Sequence, residues 1–326
     1  MKINRKFCVA PMLDWTDRHC RYFLRLISQH SVLYSEMITT GAILYGDTER
    51  HLAMSAQEQP VALQLGGSDP NDLAAACKIA DNYAYSEINL NCGCPSDRVQ
   101  NGMFGAVMMK NAKITADCVA AMIDATTLPV TVKHRIGVDD FDSYDFLCQF
   151  VGTVAESGCS TFLVHARKAW LQGLSPKQNR EVPELNYDRV YQLKKDFPDL
   201  EFIINGGIST LDESVTHLNN IDGVMLGREA YTNPYILSQV DRIIYGDEKP
   251  IKTREKIAEE FVEYVDNEMV KGVKLNAMTR HILGLYHGMP GARQFRRHIS
   301  ENAYKSTATI DVLINALKFT SGASTR

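Results

Sequence analysis

Residues 87–96 read EINLNCGCPS. Apolar Ile88 and Leu90 alternate with the amides Asn89 and Asn91, which is the period of a β-strand, and the run ends in Gly93 and Pro95. Seven more short β-rich runs bounded by turn residues surround it, at 7–12, 32–37, 60–66, 129–137, 161–166, 201–207 and 223–228. Between them lie stretches with helical spacing, such as 69–80 and 112–125, many opened by Asp, Asn, Ser or Thr. Strict alternation implies parallel crossovers, and eight units over about 240 residues is the usual size of a (β/α)8 TIM barrel. A doubly wound nucleotide-binding sheet would want GxGxxG after an early strand, and none follows Met12 or Met37. After Tyr231 the strand signal stops, GDEKP (246–250) reads as a linker, and helical stripes follow, including Ile257, Phe261, Val262, Val265 and Met269 and the segments 278–286, 293–304 and 310–319. The expected architecture is therefore a barrel over 1–245 followed by a smaller all-α helical bundle over 246–326.

Of the 326 residues, 45% are hydrophobic and 23% charged, and no apolar run approaches the ~18 residues of a membrane span, which predicts a globular chain with no membrane partner. The eight cysteines (8, 20, 77, 92, 94, 118, 148, 159) show neither CxxC pairs nor matching histidine spacing. That argues against a disulfide framework and a metal site, and for the reducing cytoplasm. The start, MKINRKFCVAPMLDW, is poorly shaped for a secretion signal and reads as a first strand.

Charge is uneven. Residues 1–245 carry 22 basic against 29 acidic side chains, whereas 246–326 carry 13 against 10. Within 271–305 seven basic residues face Glu301 alone, and Arg293, Arg296 and Arg297 stand at i, i+3 and i+4, one cationic helix face. A solvated helix face is the ordinary fate of such arginines. The shortage of acidic partners, with Lys177 and Arg180 in a long loop after the sixth strand, points instead to a polyanion.

In such barrels the active site lies at the C-terminal strand ends. With Ile88 and Leu90 toward the helices, Asn89 and Asn91 turn inward and Cys92 outward. The fifth strand likewise points Thr131, Lys133 and Arg135 in and His134 out; His165, Gln64 and Asn205 complete one polar mouth. A satisfied polar core explains any one of these, but several at matching depth are poorly explained by packing. Gly206-Gly207 and Gly227-Arg228 stand after the seventh and eighth strands, where barrels most often bind phosphate. Flavin mononucleotide (FMN) fits these parts, with Lys133 toward the electron-rich side of the ring and amides on its pyrimidine edge. Cys94, forced onto the mouth by Gly93 and Pro95, is the chemical candidate; a thiol near its ordinary pKa of about 8.5 stays protonated at neutral pH and can donate a proton.

The runs APMLDWTDR (10–18), EINLNCGCPS (87–96), VTVKHRIG (130–137), VHAR (164–167), INGGI (204–208) and GR (227–228) resemble the motifs of tRNA-dihydrouridine synthases over nearly the whole chain. QNGMFGA (100–106) and RKAWLQGLSPKQNR (167–180) resemble the A-type bacterial subfamily. The resemblance implies FMN in the barrel, NADPH as reductant, a helical bundle that grips tRNA, and reduction of D-loop uridines 20 and 20a. It carries FMN contacts onto Pro11, Met12, Gln64, Lys133, His165, Asn205, Gly207, Gly227 and Arg228, and the catalytic cysteine onto Cys94. It further implies hydride transfer from flavin N5 to uracil C6, with Cys94 protonating C5, His165 or Arg135 stabilising charge on O4, and Asn91 bonding the base edge of a flipped-out uridine. Cys92 and His134 depart from the family's usual apolar or small residues, and both face outward by parity. An FMN barrel reducing a small pyrimidine or enone shares the barrel features, and a non-catalytic tRNA-binding protein would leave Cys94 idle.

Overall fold

The computed structural model describes residues 3–96 and 102–320. The eight runs form β1 (Phe7–Val9), β2 (Val32–Thr39), β3 (Val61–Gly66), β4 (Glu87–Cys92), β5 (Val130–Arg135), β6 (Thr161–His165), β7 (Glu201–Asn205) and β8 (Gly223–Leu226). Each pairs in parallel with the next, and β1 pairs with β8, closing a TIM barrel. All but β2 and β3 stop short of the expected C-terminal ends, and the residues released (10–12, 206–207 and 227–228 among them) become mouth loops. For Gly206 and Gly207 the reason is conformational: φ values of +121° and +73° take the backbone out of the strand region. Between the strands run helices with the expected caps. Asp69 accepts from the N–H groups of Asn71 and Asp72 at the start of Pro70–Ala80, and Ser143 accepts from Phe146 N–H ahead of Tyr144–Glu156.

The interior of the barrel is split by chemistry. Cys8, Ala10, Val32, Tyr34, Ala62, Leu163, Ile203 and Met225 form one buried, largely apolar cluster. On the β3 to β5 side the register sets Gln64 beside Asn89, Asn89 beside Thr131, and Asn91 beside Lys133. Outward-facing His134 is fully buried between Phe150 and Phe162, with ring centroids 5.2 Å and 5.7 Å away.

The chain divides into two compact units, and the division differs from the expected boundary at 245/246. One comprises residues 1–13 and 32–227; the other comprises 14–31 and 228–326. The helix Arg18–Ile27, in the first crossover, belongs to the second unit because its side chains find their partners there. Phe23 packs on Phe261 at 4.9 Å, Tyr22 stacks on Tyr264 at 3.8 Å, and Ser28 donates to Asp241 at 2.5 Å. Arg254–Val270 is its longest described helix, burying Ile257, Phe261 and Val265. The expected helix over 278–286 is instead a short helix, Leu275–Thr279, and a 3-10 turn, Ile282–Gly284. The turn lies so close to the chain at Thr232 that a Cβ on Gly284 would sit 2.6 Å from the Thr232 carbonyl oxygen. Among the described residues no helix is long and apolar enough to cross a membrane.

Candidate active site

The inward residues of β3 to β7 meet at the C-terminal end of the barrel as parity requires. Asn91 Nδ2 donates to Gln64 Oε1 at 2.8 Å, and Asn91 Oδ1 accepts the N–H groups of Gly93 (3.1 Å) and Cys94 (2.9 Å). The turn after β4 is thus held from inside the barrel, and the Cys94 carbonyl takes the Ala106 N–H at 2.9 Å from the far side of the loop. Cys94 is half-buried, its Sγ 3.5 Å from Ser96 Oγ. Residues 97–101 of this loop lie outside the described residues. Cys92 is fully buried, and burial holds its thiol well above the ordinary range.

Lys133 Nζ donates to Asn205 Oδ1 at 3.2 Å, and Asn205 Nδ2 donates to the Met225 carbonyl at 2.8 Å. Burial, and then the nearby Arg135 charge, push the half-buried Lys133 down to about 7, against a smaller upward pull from Cys94. Burial holds His165 well below its ordinary value, and the cations Arg135, Lys133, Arg167 and Arg180 push it the same way. The imidazole is neutral there. It is nine-tenths buried, and Gly206 comes so close that a Cβ would lie 2.7 Å from His165 Cδ2.

Arg135 is deeply buried and joins two mouth loops. Its Nε donates to the Gly93 carbonyl at 2.9 Å, and its Nη1 donates to the carbonyls of Asn179 (2.9 Å) and Lys168 (3.1 Å). Through these bonds Arg135 staples the β4 and β6 loops together. The β6 loop carries Lys177 and Arg180 on exposed positions. It is organised by fully buried Asn179, whose side chain accepts from Trp170 N–H and donates to the Trp170 and Leu174 carbonyls.

Pro11 and Met12 are half-buried at the end of β1. A Cβ on Gly227 would find only Ala10 and Met12 within 4 Å, so its backbone can be approached closely. Arg228 follows as an exposed residue that opens the helix Arg228–Thr232 and belongs to the second unit. Arg293, Arg296 and Arg297 also lie there, exposed on the helix Ala292–Asn302, while Phe295 and Ile299 are buried. Acidic partners for this region come from beyond 271–305: Glu268 pairs with Lys271 at 2.7 Å and Asp17 with Arg280 at 2.5 Å. Within it, Arg297 pairs with Glu301 at 2.7 Å.

A mouth carrying Lys133, a neutral imidazole, paired amides and left-handed glycines, with several cations near His165, fits a planar polar ligand with an anionic tail. Among the described residues no group of three His, Cys, Asp or Glu side chains could hold a metal ion. Residues 8–321 match the family model described as dihydrouridine synthase. The chain belongs to the dihydrouridine synthase family. It is 58% identical over 318 residues to the tRNA-dihydrouridine(20/20a) synthase of Yersinia pestis, covering 97% of this chain and 92% of that one. The enzyme of that name from Escherichia coli K12 is 59% identical over 314 residues, covering 96% and 91%. Among solved structures, the 2-naphthoyl-CoA reductase complex superposes with a TM-score of 0.56 at 10% identity, covering 74% of this chain and 51% of that one. Morphinone reductase does so at 0.50 and 13%, covering 77% and 88%. At that identity the likeness concerns the barrel fold alone.

Strand-end reasoning passes over further polar residues of the dihydrouridine synthase barrel. Glu87 opens β4 at the opposite end of the strand from the mouth, and alternation gives it the same inward parity as Asn89 and Asn91. Arg167 donates from Nη1 to the Pro183 carbonyl. Asn179 carried no signal, because its role depends on a loop conformation.

Proposed function

We propose that this protein is a cytoplasmic, FMN-dependent enzyme that reduces uridines 20 and 20a in the D-loop of tRNA to 5,6-dihydrouridine, with NADPH as reductant. Family membership over 8–321 supports the reaction, and the full-length relatives named for positions 20 and 20a support the site on tRNA. The single observation that carries the chemistry is Cys94, a half-buried thiol on a turn capped by Asn91, which stands beside Lys133 in the sheet.

The cofactor is held, in this reading, by Gln64, Lys133, His165 and Asn205 along its ring, by Pro11 and Met12 at the β1 end, and by Gly206, Gly207, Gly227 and Arg228 at its phosphate. When bound, FMN supplies the hydride that saturates C6 of the base. Cys94 delivers the proton to C5, and Asn91 orients the base edge while capping the cysteine turn. Neutral His165 donates to O4, where negative charge develops, and Arg135 fixes the loops around it. Reaching this pocket requires the uridine to leave its stack. Lys177 and Arg180 then contact the tRNA backbone from the barrel, and Arg293, Arg296 and Arg297 from the helical unit.

The test is to purify the protein, identify the bound flavin, and follow NADPH oxidation with and without unmodified tRNA. Yellow protein, tRNA-dependent turnover and a two-dalton gain at uridines 20 and 20a are expected. Equal NADPH-dependent reduction of free pyrimidines or enones would replace this reading with that of a small-molecule reductase.

A further inference from the structure

Beneath the mouth a chain of hydrogen bonds runs the length of the barrel interior, and every link points the same way. At the far end Glu87 Oε2 accepts from Arg5 Nε at 2.6 Å, and Oε1 accepts from Tyr34 Oη at 2.7 Å and from Thr131 Oγ1 at 2.6 Å. Burial, with the Glu87 charge beside it, keeps the Tyr34 phenol well above its ordinary value, so it remains a donor. A carboxylate paired with a guanidinium only accepts, so the single hydroxyl proton of Thr131 is committed to Glu87. Thr131 Oγ1 must then accept from Asn89 Nδ2 (2.8 Å), which turns Asn89 Oδ1 toward Gln64 Nε2 (2.8 Å) and Gln64 Oε1 toward Asn91 Nδ2 (2.8 Å).

The upper end makes the same demand independently. Asn91 Oδ1 meets two backbone N–H groups, those of Gly93 and Cys94, which no amide nitrogen could accept. Amide groups can be satisfied in two flipped orientations, so a ladder of three is defined only by what bounds it. Here an acceptor below and two donors above select one orientation, and Glu87, Asn89, Gln64 and Thr131 are all essentially inaccessible to solvent. A flip of one amide would oppose like groups at both of its neighbours.

We infer that Glu87, at the opposite end of β4 from the reacting thiol, is a positioning residue for the reaction: through Thr131, Asn89 and Gln64 it sets the orientation of the Asn91 amide that holds the Cys94 turn. The inference rests on the proposed role of Cys94. It adds that the barrel floor controls how the thiol is presented, with Thr131 as the link.

The FMN-loaded enzyme is the test object. Thr131→Val keeps the branched shape and removes the hydroxyl, leaving Glu87 bonded to Arg5 and Tyr34; Thr131→Ser restores the donor. The first readout, alkylation of Cys94 by iodoacetamide followed by peptide mass, needs no tRNA. The second is reoxidation of NADPH-reduced enzyme by tRNA. Thr131→Val is expected to change the alkylation rate by about threefold or more and to slow reoxidation by about tenfold, with reduction by NADPH unaltered and Thr131→Ser within about twofold of wild type. Glu87→Gln, whose amide can donate to Thr131 and redirect its proton, is the second variant and carries the test if Thr131→Val does not fold. Unchanged Cys94 alkylation in the folded variants, or a Thr131→Ser enzyme as impaired as Thr131→Val, overturns the inference. Failure of the underlying reading looks different: Cys94→Ala would then be reoxidised as fast as wild type, whatever the alkylation rates showed.

Discussion

Lys133 links the charge of the mouth to pH. In the ligand-free protein, burial and Arg135 bring its ammonium group to about 7, so it is half protonated at neutrality. The electron-rich side of the flavin ring, toward which Lys133 is placed, accepts from the ammonium and favours the protonated form, so binding raises this pKa and takes up a proton. The sign follows: affinity is full well below pH 7 and is lost as pH rises through 7. If only the protonated form binds well, the apparent Kd scales as the reciprocal of the protonated fraction, which falls from about one half at pH 7 to about one hundredth at pH 9. The expected weakening is about 50-fold, or about 2.3 kcal/mol. Titrating flavin-free protein with FMN by fluorescence quenching at pH 7, 8 and 9 measures it, and calorimetry in two buffers counts the proton. Lys133→Arg should bind with a nearly flat pH profile, because a guanidinium stays charged. A wild-type Kd that changes by less than about twofold over this range, or an equal slope in Lys133→Arg, would refute the assignment of Lys133 to the flavin.

Cys94→Ala is expected to leave flavin reduction by NADPH intact and to slow reoxidation by tRNA about 100-fold or more in stopped-flow absorbance, whereas Cys92→Ala should alter neither step. Replacing Arg293, Arg296 and Arg297 by Ala should weaken tRNA binding and reduce the salt slope of log Kd by about two rather than three, because Arg297 is already paired with Glu301; filter binding at several salt concentrations reads both. His134 is buried neutral, with burial as the main cause of a value near 4, so between about pH 6.5 and 4 the unfolded chain binds a proton that the folded one does not. Stability should fall by about 3 kcal/mol across that window, and denaturant melts of His134→Leu should show correspondingly less acid sensitivity.

Strand parity carried most of the site. Alternation in EINLNC and VTVKHR placed Asn89, Asn91, Thr131, Lys133 and Arg135 inside and His134 outside, because a closed sheet allows a side chain only two directions. It could not say what each inward group would bond. Parity points Arg135 inward but carries no sign of its bonds to three loop carbonyls, which come from segments remote in sequence. The second unit was harder to delimit, since loss of strand signal locates where the barrel pattern ends and says nothing of a helix in the first crossover that packs with residues beyond 228. The apparent excess of cations in 271–305 was likewise judged within a window, while Asp17 and Glu268 lie outside it.

That crossover helix has a consequence for how the molecule is made. Residues 14–31 leave the ribosome with Trp15, Asp17, Phe23 and Ser28 already in hand, but their partners Tyr231, Arg280, His281, Phe261 and Asp241 follow about 200 residues later. At about 5–20 residues per second the wait is about 10–40 s. Throughout it Phe23 and Tyr22 lack the rings of Phe261 and Tyr264 that they pack on in the folded chain. A truncation that ends at residue 245 would keep Tyr231 and Asp241 but remove Phe261, Tyr264, Arg280 and His281, leaving Phe23, Tyr22 and Asp17 permanently without those partners.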